Sequence, residues 1–368
     1  MASTINATTS SGIVATADNT GQLALQAAGT TIATISSTGV AVTGTISSNG
    51  INTSPYTMKN RIINGAMVIS QRNGTTVTTI TNGADFFGPD RWKYYRDVGG
   101  TFTTTQSSTA PAGYVYSMLT TASTGASPSA AQLNFFQQIV EGLNITDLGW
   151  GTANAQTVTL SFWVRSSITG TYTIGISNDG LNRAYVATYT ISSANTWEQK
   201  TITIPGDTSG TWLTTNGSGI RVYWDLGSGS NYNLTAGTWG GTWGLRTSGS
   251  TTWGATTGAT FYLTGVQLEV GSSATQFEWR PYGTELALCQ RYFQKVTDIA
   301  VRVFGQPTNG FRLPNYYKVT MRANPTVTLS GSGLSTTSVY GQSPDQFSYS
   351  NNDGSCDMYF SFTASAEL

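Results

Sequence analysis

Forty consecutive residues near the amino end, residues 19–58, carry no charge. Within this run Leu23 and Leu25, and later Val40 and Val42, alternate with polar or small neighbours, and glycines separate the pairs. This alternation predicts short β-strands broken by turns. Each strand has too few apolar positions to bury a core alone, so the segment needs a partner surface if it is to fold.

Two interpretations of residues 1–57 follow. In the first, identical chains share one core around a symmetry axis, as in fibrous β-structures, and the segment is an intertwined attachment segment. In the second, it is a disordered tail rich in Ser, Thr and Gly. The regular spacing of Leu, Ile and Val favours the first interpretation.

The composition of the 368 residues indicates an all-β protein. Charged residues make up 10%, and the 42 Gly, 18 Tyr and 10 Trp favour strands and turns over helices. The net charge of zero argues against nucleic acid or an anionic membrane as a partner. No run approaches the roughly 20 apolar residues of a membrane span. Histidine is absent, which excludes Ser-His-Asp and Cys-His centres and histidine metal sites within one chain.

The first residues, MASTINATTSSG, have neither the basic nor the apolar region of a secretory signal. We therefore expect a protein that is made in a cytoplasm and assembled without secretion. Two cysteines, Cys289 and Cys356, are too few for a disulfide scaffold in a chain of this length. Whether they pair with each other is left open.

The middle of the chain reads as a series of strands. In GIRVYWDLG, for example, Val222 and Trp224 alternate with Arg221, Tyr223 and Asp225. Runs of this kind, separated by Gly, Asn and Ser turns, predict an antiparallel β-sandwich, which we place at residues 58–283.

The pattern changes near Thr284. The stretch TELALCQRYFQKV contains good helix formers, with Leu286, Cys289 and Phe293 spaced along one face, and Thr284 could cap it. Strand patterns then return to the end of the chain. We expect residues 284–368 to form a small β domain that begins with one short helix.

Several stretches carry a resemblance to a known family: NRIINGAMVISQRNGT, DRWKYY, FWVRSSITGTYTIGISN, GVQLEVGSSATQFEWRPYGTELALCQRYFQK and the ending TASAEL. They resemble tail-fibre-like structural proteins of bacteriophages, over roughly residue 58 to the end. The resemblance implies a jelly roll like that of carbohydrate-binding modules, a homotrimer, and a place in the virion with the amino end on the particle. Gln276 stands where the family usually has proline, which changes a turn residue.

Three tryptophans recur in the same Thr-Trp-Gly context: Trp239, Trp243 and Trp253. Exposed indole rings stack on the C–H faces of sugars, while hydroxyl groups find partners in a Gly-rich loop. These residues are therefore glycan-binding candidates. The alternative is that the rings pack over the end of the sandwich or in a subunit interface.

A second candidate surface combines Trp163 and Arg165 with Arg221, Tyr223 and Asp225. Alternation places each set opposite the apolar row of its own strand. If the two strands are neighbours, the five side chains form one aromatic and charged face that suits sugars. An ordinary solvated or intersubunit face is the alternative.

Catalysis and metal binding have weaker signals. No spacing singles out a pair of carboxylates for glycoside cleavage, and Asp85 and Asp90 in NGADFFGPD are more typical of turns than of a Ca²⁺ site. The Gly-rich stretches lack the lysine of a phosphate loop. We predict no catalytic residue, no metal and no cofactor.

Taken together, the residues and the resemblance predict a homotrimeric virion fibre that binds host-surface glycans multivalently and contacts other tail or baseplate proteins through residues 1–57. Two alternatives remain open. One is a structural virion component without receptor binding, such as a head fibre, a decoration protein or a tail adaptor. The other is a glycan depolymerase.

Overall fold

The computed structural model describes the backbone of residues 3–8, 12–16, 23–27, 30–36 and 39–42, and then residues 58–303, 311–334, 337–351 and 356–368. The chain divides into two compact units, Met1–Thr57 and Met58–Leu368. Within the described ranges, no helix has the length and hydropathy of a membrane span.

The first unit contains a five-stranded sheet in the order β2-β1-β3-β4-β5. Its strands are β1 (Ser3–Thr8), β2 (Gly12–Thr16), β3 (Leu23–Ala27), β4 (Thr30–Ser36) and β5 (Gly39–Val42). β1 and β3 run parallel, and the other neighbours are antiparallel. The strands predicted from the alternating Leu and Val residues are therefore present. The sharing of a core between identical chains stays a prediction.

The second unit begins with the predicted sandwich, which has a six-stranded sheet in the order β15-β12-β18-β10-β9-β6 and a seven-stranded sheet in the order β17-β14-β13-β16-β11-β8-β7. Neighbouring strands in both sheets are antiparallel. The strands are β6 (Thr78–Thr79), β7 (Phe86–Phe87), β8 (Lys93–Arg96), β9 (Thr101–Ser107), β10 (Ser117–Thr124), β11 (Asn134–Glu141), β12 (Val158–Ser166), β13 (Gly170–Ser177), β14 (Ala184–Ile191), β15 (Glu198–Ile204), β16 (Ser218–Asp225), β17 (Trp239–Gly240) and β18 (Ala259–Val270). Short 3₁₀ turns occur at Gly142–Asn144, Thr146–Leu148, Ser230–Tyr232 and Trp253–Ala255.

The main core lies between the two sheets and is rich in aromatic rings. Phe162 of β12 packs on Trp224 of β16 with ring centroids 5.7 Å apart, and Phe136 of β11 packs on Phe261 of β18 at 5.5 Å. Alternation explains these contacts, because every second residue of a strand points to the same side of its sheet. The apolar row predicted for β16, which includes Val222, is fully buried.

The rest of the second unit consists of one helix and two small sheets. Helix α1 spans Tyr282–Gln290, two residues earlier than the predicted start, with Pro281 at its N-cap and no side-chain cap. Thr284 therefore lies in the first turn and does not cap the helix. The two three-stranded sheets have the orders β19-β24-β21 and β20-β23-β22. Their strands are β19 (Phe293–Val303), β20 (Phe311–Tyr316), β21 (Thr326–Ser332), β22 (Thr337–Tyr340), β23 (Gln346–Asn351) and β24 (Cys356–Ser365).

A second apolar core, which includes Phe347, Phe360 and Phe362, lies under the small sheets. A third cluster around Ile63, Ile69, Cys289 and Tyr292 links helix α1 to the start of the second unit. Cys289 in this cluster is a free, buried thiol, so it forms no disulfide with Cys356. The predicted boundary between residues 283 and 284 stays a prediction within this unit.

Buried ion pairs join the carboxyl-terminal segment to the sandwich. Glu141 of β11 accepts two hydrogen bonds from Arg291, at 2.9 and 2.6 Å, and one from the hydroxyl of Tyr292 at 2.6 Å. The penultimate residue, Glu367, pairs with Arg72 and Arg91. These contacts fix the position of helix α1 and of the last residues against the sandwich.

Candidate functional site

The outer face of the seven-stranded sheet gathers polar and aromatic side chains. On β16, Tyr223 faces away from the main core and belongs to a separate small cluster. The register places Tyr223 between Gln137 of β11 and Gly175 of β13. Arg221 lies two residues away on the same face, opposite Ser177. The sheet therefore brings side chains from three strands to one surface.

A long loop, residues 227–252, covers one end of this face, and we call it the covering loop. A Cβ atom on Gly175 would lie 2.9 Å from the Cα atom of Leu245, so only glycine allows the loop to approach this closely. Leu245 packs with Phe135 and Tyr223, and Trp243 lies at the edge of the same cluster. The loop thereby carries Trp243 to the border of the exposed part of the sheet.

At this border five side chains form what we call the outer-face cluster: Ser177, Asp179, Arg221, Tyr223 and Trp243. Arg221 donates from Nη2 to Oδ1 of Asp179 at 2.7 Å, and both side chains are partly exposed. The Tyr223 hydroxyl lies 3.1 Å from Ser177 Oγ, and its ring centroid lies 6.0 Å from that of Trp243. Burial raises the pKa of Tyr223 to about 12, so its hydroxyl stays protonated at neutral pH.

Three polar atoms in or beside the cluster have no hydrogen-bond partner among the described residues. They are Oε1 of Gln137, a residue that is 2% exposed, Nε of Arg221 and Nε1 of Trp243. A buried polar atom without a partner costs stability, so native proteins rarely keep one unless something else bonds to it. The cluster therefore combines an aromatic ring with a cation, a carboxylate and unused hydrogen-bonding capacity, which is the chemistry that a sugar ring requires.

The other predicted glycan-binding residues lie elsewhere. Trp253 is fully buried in the main core, with Phe102 at 6.2 Å, and its ring is closed to any ligand. Trp239 lies on edge strand β17, where it donates from Nε1 to the Pro205 carbonyl at 2.9 Å and packs on Trp150 and Trp212. Trp253 and most of the Trp239 ring are therefore packed within the protein, which agrees with the alternative that these rings have a packing role.

Trp163 does not join Arg221 and Tyr223. Its strand, β12, belongs to the six-stranded sheet, whereas β16 belongs to the seven-stranded sheet. The residues before and after Trp163 face the main core between the sheets, so Trp163 lies on the opposite outer face. Arg165 lies there too, with its guanidinium 4.9 Å from the ring centroid of Tyr262. The single mixed surface expected from the sequence is thus two surfaces.

Asp225 shares a strand with Arg221 but is 1% exposed beneath the covering loop. Its Oδ1 accepts a hydrogen bond from the Ser228 amide at 2.8 Å, and its Oδ2 lies 3.8 Å from Nε of Arg246. Burial raises the pKa of Asp225 and outweighs the attraction of Arg246. The structure gives Asp225 a role in holding the covering loop and removes it from the glycan-binding candidates.

The raised pKa gives a prediction for Asp225→Asn. In wild type the folded state holds the Asp225 proton more tightly than the unfolded state does. The contribution of this residue to stability therefore falls as the pH rises from the pKa of Asp225 in the unfolded state to its higher pKa in the folded state. The variant lacks this loss. The free energy of unfolding of the variant minus that of wild type should therefore increase from about pH 4 to about pH 7. Urea unfolding across this range measures it, and a difference that shrinks toward neutral pH contradicts the prediction.

Several other acidic residues have structural partners. Asp207 is held by two bonds from Arg183, at 2.8 and 2.6 Å, and Glu278 accepts the backbone amides of Lys59 and Asn60. Asp90 is buried and bonds Gln71. Among the described residues, no group of three or more acidic or cysteine side chains is placed to hold a metal ion.

The solved structures that align with this chain do so at low sequence identity and with TM-scores near 0.3. No family model and no curated protein matches this sequence. The enzymatically active domain of tailspike protein 4 from bacteriophage CBA120 aligns with 58% of this chain and 22% of its own, at 12% identity and a TM-score of 0.30. A putative sugar-binding protein from Bacteroides thetaiotaomicron aligns with 58% of this chain and 100% of its own, at 15% identity and a TM-score of 0.31. A family 11 carbohydrate-binding module from Clostridium thermocellum aligns with 54% and 98%, at 11% identity and a TM-score of 0.27.

Proposed function

We propose that this chain is the subunit of a homotrimeric bacteriophage fibre that binds host-surface glycans through the outer-face cluster. The observation that carries the binding role is the convergence of Trp243, Arg221 and Asp179 at a partly exposed border of the seven-stranded sheet. The place in a virion rests on the resemblance of residues 58–368 to phage tail-fibre-like proteins. We assign it no catalytic step.

Each side chain of the cluster has a distinct part in this proposal. The Trp243 ring offers an apolar face for the C–H face of a sugar. Arg221 donates hydrogen bonds to sugar hydroxyls, and Asp179 accepts them. Tyr223, which is 2% exposed, supports the Trp243 ring from below and is itself held by Ser177. Binding by so few groups is weak at one site, and three copies in a fibre raise the avidity.

The test is the binding of the full chain to an array of bacterial surface polysaccharides. Arg221→Ala should lower the apparent affinity at least about tenfold, because it removes the donor and leaves Asp179 without its partner. Arg165→Ala is the matched control, since Arg165 also lies on an outer face beside an aromatic ring but on the other sheet.

Three outcomes would contradict the proposal. One is that no polysaccharide binds, in which case the protein would be a structural virion component without receptor binding. Another is equal loss in both variants, which removes the outer-face cluster from binding. Release of reducing ends from a retained polysaccharide would make the protein a depolymerase.

A further inference from the structure

Trp279 differs from the other tryptophans of this chain. Its side chain is 55% exposed, whereas the remaining nine are buried or partly buried, and all ten lie in the described residues. Tyr282, three residues later at the start of α1, is 64% exposed. Large aromatic rings left this exposed cost hydration free energy and commonly mark binding surfaces.

The two rings line the same cavity. It has a volume of about 110 Å³, and its walls include Asn60, Gly65, Phe277 and Arg280. Pockets for drug-sized ligands are larger, roughly 300–1,000 Å³. The cavity therefore suits a single ring and not an extended chain.

The Trp279 ring is held in place from behind. Its centroid lies 4.9 Å from that of Tyr114 and 4.9 Å from that of Phe277. Tyr114 reaches this position beside Gly265, whose φ of +62° favours glycine and where a Cβ would lie 2.8 Å from the Tyr114 hydroxyl. A ring fixed before binding loses little conformational entropy when a ligand stacks on it.

Polar groups at the cavity add hydrogen-bonding capacity without a net positive charge. The Arg280 side chain is 5% exposed and forms ion pairs with Glu278 and Glu285, yet its Nε has no partner among the described residues. Glu278 is already saturated by backbone amides and Arg280. The cavity lining thus carries two carboxylates and one guanidinium, which disfavours an anionic ligand and is compatible with an uncharged sugar ring.

We propose that the cleft between Trp279 and Tyr282 is a second binding site, which takes one neutral pyranose ring of a glycan. The sugar lies with its C–H face on the indole of Trp279, and the Tyr282 ring borders it on the other side of the cleft. The site stands independently of the outer-face cluster, because the two share no residue and are built on different strands.

The test uses the full chain and a panel of neutral methyl glycosides, each alone: those of glucose, galactose, mannose, rhamnose and N-acetylglucosamine. Saturation-transfer-difference NMR should show contact with the ring C–H protons of at least one of them. Trp279→Ala and Tyr282→Ala should each weaken that binding at least about tenfold. Trp197→Ala, at a partly exposed tryptophan on Tyr262, should leave it unchanged.

Arg221→Ala separates this site from the proposed function, because it should spare the glycoside signal while reducing polysaccharide retention. The inference is overturned if no glycoside gives a signal, or if the signal persists in Trp279→Ala and disappears in Arg221→Ala. A lower solution mass for Trp279→Ala would also overturn it, since the ring would then be a contact between chains. Because both residues are more than half exposed, only a small change in thermal unfolding is expected for the two variants, and for Trp279→Ala it reflects the lost contacts with Tyr114 and Phe277.

Discussion

Glu367→Gln is expected to lower the free energy of unfolding of residues 58–368 by about 3 to 5 kcal/mol. The Glu367 side chain is 7% exposed and lies between Arg91, which is 2% exposed, and Arg72, which is 14% exposed. The substitution keeps the shape of the side chain and removes its charge. Arg91 then loses its counter-ion, and Arg72 keeps only Asp90 at 3.8 Å, so most of the desolvation penalty of the two cations is no longer offset.

The surroundings leave these arginines little freedom to move into water. The Arg91 guanidinium lies 3.5 Å from the ring centroid of Tyr292, and that of Arg72 lies 3.6 Å from that of Phe293. Tyr292 lies between α1 and β19, and Phe293 is the first residue of β19. The lost ion pairs should therefore loosen the packing of this segment on the sandwich, as well as the last residues of the chain.

The midpoint of urea unfolding measures the effect. With an m-value of about 3 kcal/mol per M, the loss corresponds to a shift of roughly 1 to 1.7 M. Asp85→Asn is the control, because it removes an ion pair of similar geometry, 2.9 Å from Lys93, in which the carboxylate is 52% exposed. It should cost less than about 1 kcal/mol. Equal shifts in the two variants would show that burial of Glu367 contributes nothing.

The strands were predictable from the sequence where one side of a strand is buried. The row of Val222 and Trp224 could be assigned to the core because the alternation is a local property of β16. The neighbours of a strand are not local. Nothing in the sequence indicates that β12 and β16 belong to different sheets. The single face that Trp163 and Tyr223 would form on neighbouring strands is therefore not present.

The Thr-Trp-Gly repeat shows the limit of local sequence most clearly. Trp239, Trp243 and Trp253 have the same neighbours in the chain but lie at a sheet edge, on an outer face and in the core. The environment of each ring depends on which distant residues pack against it, and long-range packing decides this.

The contacts that position the candidate sites also lie beyond sequence patterns. Glu367 and Arg91 are 276 positions apart, and Trp279 and Tyr114 meet only because Gly265 lets their segments approach. The exposure of Trp279 had no signal in its spacing. The start of α1 did have a sequence signal, Pro281, because proline is common at the beginning of a helix.

Removal of residues 1–57 is expected to reduce the apparent affinity for a glycan-coated surface by about 10²- to 10⁴-fold. The outer-face cluster lies wholly within residues 58–368, a compact unit with its own cores, so binding of a soluble oligosaccharide to one site should be unchanged. The loss of apparent affinity would come only from the smaller number of linked binding sites. Surface plasmon resonance on immobilised polysaccharide, beside titration with the free oligosaccharide, separates the two quantities.

The expectation rests on the five-stranded sheet of the first unit. Its register pairs Ile5 with Leu25, Leu25 with Ala33, and Ala33 with Val42, and the last three of these residues lie in the uncharged run of residues 19–58. A sheet this small needs a further surface to bury such a row, and identical chains can supply it to one another. Light scattering should then give three times the 39.0 kDa chain mass for the full chain and the mass of a single chain after truncation. A monomeric mass for the full chain would contradict a core shared between chains, and the protein would then act as a free-standing sugar-binding module.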